Sequence, residues 1–186
     1  MSDFFPKEYE VPQKAGNYFR FQDGENRFRI LSAPLLGWEA WIDTPDGGRK
    51  PIRRPMNNPF STNDIDDPEQ IKHFMAFVVY NLDAEKIQIL EITQKGLQKS
   101  IRALERSKAW GSPLQYNILV TKKGQKLDTE YTLVPEPPTK LDKGIEQLYK
   151  DMAINLEALF DGADPFAVSE EKETESIADD AIAAGL

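Results

Sequence analysis

The chain contains no cysteine and a single histidine, His73, among its 186 residues. Disulfides, thiol nucleophiles and thiolate zinc sites are thereby excluded, and a reducing compartment is the expected setting. A triad, a histidine metal cluster or an imidazole relay would have to be built around that one ring, whose apolar surroundings mark it more simply as a strand residue. No Gly-rich loop ending in Gly-Lys-Ser/Thr occurs, which argues against an ATP-driven helicase or ligase. The acidic run of Asp64, Asp66, Asp67 and Glu69 lacks the glycine and terminal glutamate spacing of a calcium loop, so a turn-rich loop is the better reading. No catalytic residue, metal ligand or cofactor is expected. The longest apolar run, Phe74 to Tyr80, is too short to span a bilayer, and the opening MSDFFPKEYE lacks the features of a secretory signal. A soluble intracellular protein is the expectation.

What is present is a contrast in charge. The formal net charge is −8, and the segment from Asp161 to Leu186 holds eight Asp/Glu against the single Lys172. Residues 20–126, by contrast, hold 17 Lys/Arg and 13 Asp/Glu. A basic body tethered to an acidic tail points to a polyanion ligand, because tail and ligand compete for the same cations.

The residue pattern divides the chain into an irregular N-terminal arm over 1–24, a body over 25–136, a C-terminal helix over 139–160 packed on the body, and a disordered acidic tail over 161–186. Within the body, Phe28 and Ile30 alternate with Arg27 and Arg29, as in a half-buried strand that turns two guanidinium groups outward. Residues 34–70 form an excursion, hairpin-like around Asp46-Gly47-Gly48 and then a loop from Met56 to Asp67. Strands are expected at 26–32, 72–80, 86–92, 114–122 and 129–134. Between the third and fourth, residues 94–108 have helical period: Leu97, Ile101 and Leu104 lie on one side, and Lys95, Lys99, Arg102 and Arg106 form a cationic stripe within about 60° on the other. A solvated face is the commoner explanation of such a stripe. Leu141, Ile145, Leu148, Tyr149, Met152, Leu156 and Leu159 give the C-terminal segment its amphipathic period. Three strands, a helix and two strands is the order of an OB-fold, a mainly β, five-stranded Greek-key barrel, here with an elaborated first loop.

A general binder of single strands needs a cationic groove with aromatic platforms. Arg49, Lys50, Arg53 and Arg54 form the densest basic cluster, just after Trp38 and Trp41, which are three apart and cannot share one face of a flat strand. Both tryptophans in the core is the competing reading. If Met75, Phe77 and Val79 fill the barrel, then Phe74 and Tyr80 face outward beside Arg27 and Arg29; the opposite assignment turns Phe77 outward instead. Lys72, Tyr116 and Lys122 complete the candidate contacts. In the tail, Glu170, Glu171, Glu173, Glu175, Asp179 and Asp180 are candidates for recruiting a partner.

The stretches NYFRFQDGENRFRIL at 17–31, KHFMAFVVY at 72–80 and ILEITQK at 89–95 resemble the single-stranded DNA-binding proteins of tailed bacteriophages, over most of residues 16–136. The resemblance implies an OB-fold without catalytic activity that binds single-stranded DNA with little sequence preference in the host cytoplasm. It also implies roles in protecting DNA during replication, recombination and repair, with the acidic tail engaging replication or recombination proteins. Two features depart from the pattern. The structural zinc held by Cys and His in some phage relatives has no ligands here, and the tail ends Ala183-Ala-Gly-Leu186 where bacterial relatives end in Pro and Phe. The alternatives left by the residues are an RNA binder, an OB-fold protein-interaction module whose tryptophans form a hot spot, and, more remotely, a metal-dependent nuclease.

Overall fold

The structure, a computed structural model, describes residues 16–167. The fold is mainly β: one antiparallel sheet of seven strands, accompanied by a few helices. The strands are β1 (Gly24–Ile30), β2 (Leu35–Asp43), β3 (Arg49–Pro55), β4 (Lys72–Asn81), β5 (Lys86–Ile92), β6 (Asn117–Lys123) and β7 (Glu130–Pro135). The sheet runs β3-β2-β4-β1-β6-β7, with β5 on the other edge of β4, and no pairing joins β5 to β7 among the described residues. Strands form near all five expected ranges, the fourth beginning at Asn117 after a 3-10 turn, but the sheet is open and has seven strands where a five-stranded barrel was expected. The other two are the arms of the excursion, whose hairpin closes over residues 44–48 and joins the sheet through β2 and β4.

β1 and β2 behave as one bent strand. β1 pairs with the end of β4 (Ile30 opposite Val79) and β2 with its beginning (Leu35 opposite Ala76), so residues 31–34 face only two residues of β4. The extra length is a bulge, held by Ser32 Oγ accepting the Val78 N–H at 2.9 Å and by the Leu31 N–H donating to the Val78 carbonyl at 2.8 Å.

Because β4 is central, both of its faces are covered, which explains its nearly unbroken apolar sequence. One face joins the main core, where Phe28, Phe77, Val79, Leu90 and Ile118 pack against Leu97, Ile101 and Leu104 of helix α1 (Lys95–Arg106). The other face carries a smaller cluster of Phe74, Ala76 and Ile89 under Leu159, Phe160 and Phe166. The helix expected over 139–160 is therefore broken into two pieces. Helix α2 (Lys143–Met152) is capped by Asp142, buries no residue and ends at Ala153 in a left-handed conformation with φ 46°. The chain then turns back, and a 3-10 stretch from Leu156 to Asp161 seals the second cluster.

The expected arm and tail also contribute to the body. Phe19 is buried, and the Phe19 N–H donates to the Ile89 carbonyl on the outer edge of β5 at 2.8 Å. Pro165 is fully buried, so the body continues past Asp161. The remainder of both expectations, residues 1–15 and 168–186, lies outside the described residues.

Gly37 marks the tightest contact beneath the C-terminal segment. A Cβ there would lie 2.5 Å from the Arg54 carbonyl oxygen, 2.8 Å from the Phe74 ring and 3.0 Å from the Phe160 ring. Since backbone cannot give way cheaply, Gly37→Ala is expected to cost about 1–3 kcal/mol. A urea midpoint equal to the wild type's would show that this packing is looser than described.

Candidate nucleic-acid interface

The strand and helix patterns converge at the start of β4. Trp38 on β2 lies directly opposite His73 on β4, with their rings edge to face at 5.6 Å. His73 Nδ1 is 2.9 Å from the Gly37 carbonyl, which accepts its proton and fixes the ring. α1 is tied to the same place by the buried Gln98, whose Nε2 donates to the carbonyls of His73 and Ile92, each at 2.9 Å. Between helix and strands lies a groove of about 900 Å³. Its cations are Lys72, Lys95, Lys99, Arg102 and Arg106, and its one carboxylate is Glu69. Arg102 pairs with Glu105, while Lys72, Lys95, Lys99 and Arg106 make no ion pair among the described residues.

Of the residues proposed from sequence, the structure brings Trp38 and Lys72 into this groove. Arg54 stands opposite Trp38 across the β2–β3 pair, with its guanidinium 4.8 Å from the Phe60 ring centre and 3.0 Å from Asp64. The α1 stripe supplies four of the groove's five cations, a role the sequence pattern alone did not assign to it. The pattern carried the signal, but the wall opposite α1 is contributed by residues far away in the chain.

Trp41 points to the other face of the hairpin, is 44% exposed, and donates from Nε1 to Glu39 Oε1 at 3.1 Å. Arg49 and Lys50 are exposed near the hairpin tip, where Arg49 pairs with Asp43 and donates to Gln70. Arg27 is exposed but pairs with Glu136, and Lys122 lies 3.6 Å from Asp23. Tyr80 is half-buried at the opposite end of β4 from Lys72, beside Arg29 and Thr139, and burial raises its pKa.

Four candidates are interior residues. Arg29 was expected on the outer face, but it is buried, donating to the carbonyls of Leu114 at 2.9 Å and Thr139 at 2.8 Å; burial lowers its pKa. Phe74 was expected to face outward, yet it is fully buried because the Leu156–Asp161 stretch lies over it. Tyr116 is likewise fully buried, edge-on to Trp110.

Arg53, the fourth, is withdrawn from the basic cluster into an ionic core. Its side chain, 13% exposed, reaches Glu91 at 2.7 Å and lies 3.0 Å from Glu39, an ion pair whose angle makes no hydrogen bond. Two carboxyls thus share one guanidinium beneath the C-terminal segment. Burial, followed by hydrogen bonding with Glu39 and repulsion from it, pushes the Glu91 carboxyl up to about 8, against the pull of Arg53.

The six proposed partner-binding carboxylates, from Glu170 to Asp180, lie outside the described residues. Among the described residues no group of His, Cys, Asp and Glu is arranged to hold a metal, and no helix is long and apolar enough to cross a membrane. Comparison with known proteins gives no match to a family model, to a curated protein or to a solved structure.

Proposed function

We propose that this protein is a non-catalytic, sequence-tolerant binder of single-stranded DNA, and that the groove beside α1 is its interface. The observation that carries the reading is the groove's composition: a row of cations on α1, of which only Arg102 is paired among the described residues, faces an aromatic pair on strands to which Gln98 ties the helix. Unpaired nucleic acid presents phosphates and base faces together, and this arrangement meets both.

The strand connections support an OB-type domain. β1–β4, β4–β5, β1–β6 and β6–β7 pairing, with α1 between β5 and β6, follows the order of that fold, and the β2–β3 hairpin elaborates its first loop. The face of β4 and β5 away from α1 is a poor DNA site in this chain. It is sealed by Leu159 and Phe160 and contains Glu39 and Glu91.

The acidic tail competes with DNA for the groove and recruits replication or recombination proteins. Since the body extends through Pro165, the truncation that isolates the tail begins at residue 168.

Fluorescence anisotropy of labelled oligo-dT, with a duplex of equal length as control, tests the function. Tight, salt-sensitive binding to the single strand is expected, strengthened at low salt by removal of residues 168–186. Absence of binding at low salt, by the full chain and the truncated one, would overturn the reading.

A further inference from the structure

We infer that the groove holds its strand in one orientation, with the sugar-phosphate backbone along α1 and the bases turned toward Trp38 and His73. The inference rests on the nucleic-acid reading above and adds how the ligand lies and why it must be unpaired.

The two walls differ in chemistry. On the helix wall, Lys95, Lys99, Arg102 and Arg106 recur at intervals of four, three and four residues, so their charges form a line along one face. At ~1.5 Å per residue that line is ~16 Å long, enough for about four nucleotides, the low end of the site sizes of single-strand binders. On the strand wall stand Trp38, His73 and Met75, with Lys72 at the beginning of β4. Phosphates placed against the strand wall would meet two rings, a thioether and the single cation Lys72, and bases placed against the helix would leave Lys95, Lys99 and Arg106 unanswered and Arg102 with Glu105 alone. Only one arrangement satisfies both walls.

The walls are also fixed relative to each other. Gln98 joins α1 to the backbone of β4 and β5, and the hydrogen bond to Gly37 holds His73 against Trp38. A duplex could approach the cations, but its base faces are stacked away from Trp38, so it gains only the phosphate contacts.

The test uses the full-length chain with three probes: labelled dT12, a 12-mer of the same backbone bearing abasic sites, and a 12-bp duplex. Trp38→Leu is expected to weaken dT12 binding roughly 5- to 150-fold, bring it near the abasic level and leave the salt dependence unchanged. Trp38→Phe, which retains a ring, should keep most of the affinity and guards against a folding artefact. The double variant Lys99→Gln, Arg106→Gln should lower the slope of log K against log salt by about 1.4 while preserving the preference for dT12 over the abasic strand. If the wild type binds dT12 and the abasic strand equally, or Trp38→Leu weakens both alike, the orientation is wrong while the function stands. If no strand binds at low salt, the function itself fails.

Discussion

Replacing Lys95, Lys99, Arg102 and Arg106 together with glutamine is expected to weaken binding of a single strand by roughly 10²–10³-fold at 0.1 M salt, and to lower the salt slope by about 2.8. These four side chains lie on the solvent side of α1, opposite Leu97, Ile101 and Leu104, so their removal takes nothing from the core. Glutamine is nearly as good a helix former as lysine or arginine, and the far-UV circular dichroism should therefore be unchanged. The matching control is Arg49→Gln with Lys50→Gln at the hairpin tip, outside the groove, where a much smaller loss is expected. The reverse ranking would move the interface to the hairpin.

The second large effect concerns stability. Arg53→Met removes the cation that pairs with both Glu39 and Glu91, leaving two carboxyls facing each other under Leu159 and Phe160. A loss of about 3–5 kcal/mol is expected at pH 8, because breaking a buried ion pair on one side strands the other. The same site makes the wild type sensitive to pH. Folded Glu91 keeps its proton up to about pH 8, whereas an unfolded glutamate releases it near 4.5. Folding therefore takes up a proton between those values, and stability falls as pH rises through that window. Glu91→Gln should flatten the dependence. Urea midpoints at pH 5.5 and 8.5 measure both effects, and a wild-type midpoint that rises with pH would contradict this description of the site.

Much of the fold was legible because local periods are strong. Phe28 and Ile30 alternate with Arg27, Leu97, Ile101 and Leu104 recur at helical spacing, and Asp46-Gly47-Gly48 marks the hairpin turn. What could not be read was burial caused by distant segments. Phe74 belongs to the face opposite the main core, as its alternation implies, but a segment near the end of the chain covers that face. Arg53 and Arg54 are neighbours of the same type. One lies opposite Glu39 and is enclosed, while the other lies opposite Trp38 and remains half-exposed. The C-terminal period ran unbroken through Ala153 because a left-handed residue changes direction without changing the apolar count.

The site followed the same division. The α1 stripe and Trp38 were each visible as features, but a stripe on a helix is ordinarily solvated, and nothing local announces the wall that faces it. That wall is a cross-strand pair, Trp38 and His73, joined by sheet register across the whole excursion. The basic cluster at 49–54 was the more conspicuous signal, yet its members separate: Arg53 inward, Arg49 and Lys50 outward near the tip.

Ultraviolet crosslinking of oligo-dT to the full-length protein, followed by mass spectrometry of the adducted peptides, locates the strand directly. Adducts at Trp38 and His73, lost when the four α1 cations are replaced, are the expected result. Adducts confined to Trp41 or to the β6–β7 edge, unaffected by that replacement, would show that the groove beside α1 is not where nucleic acid binds.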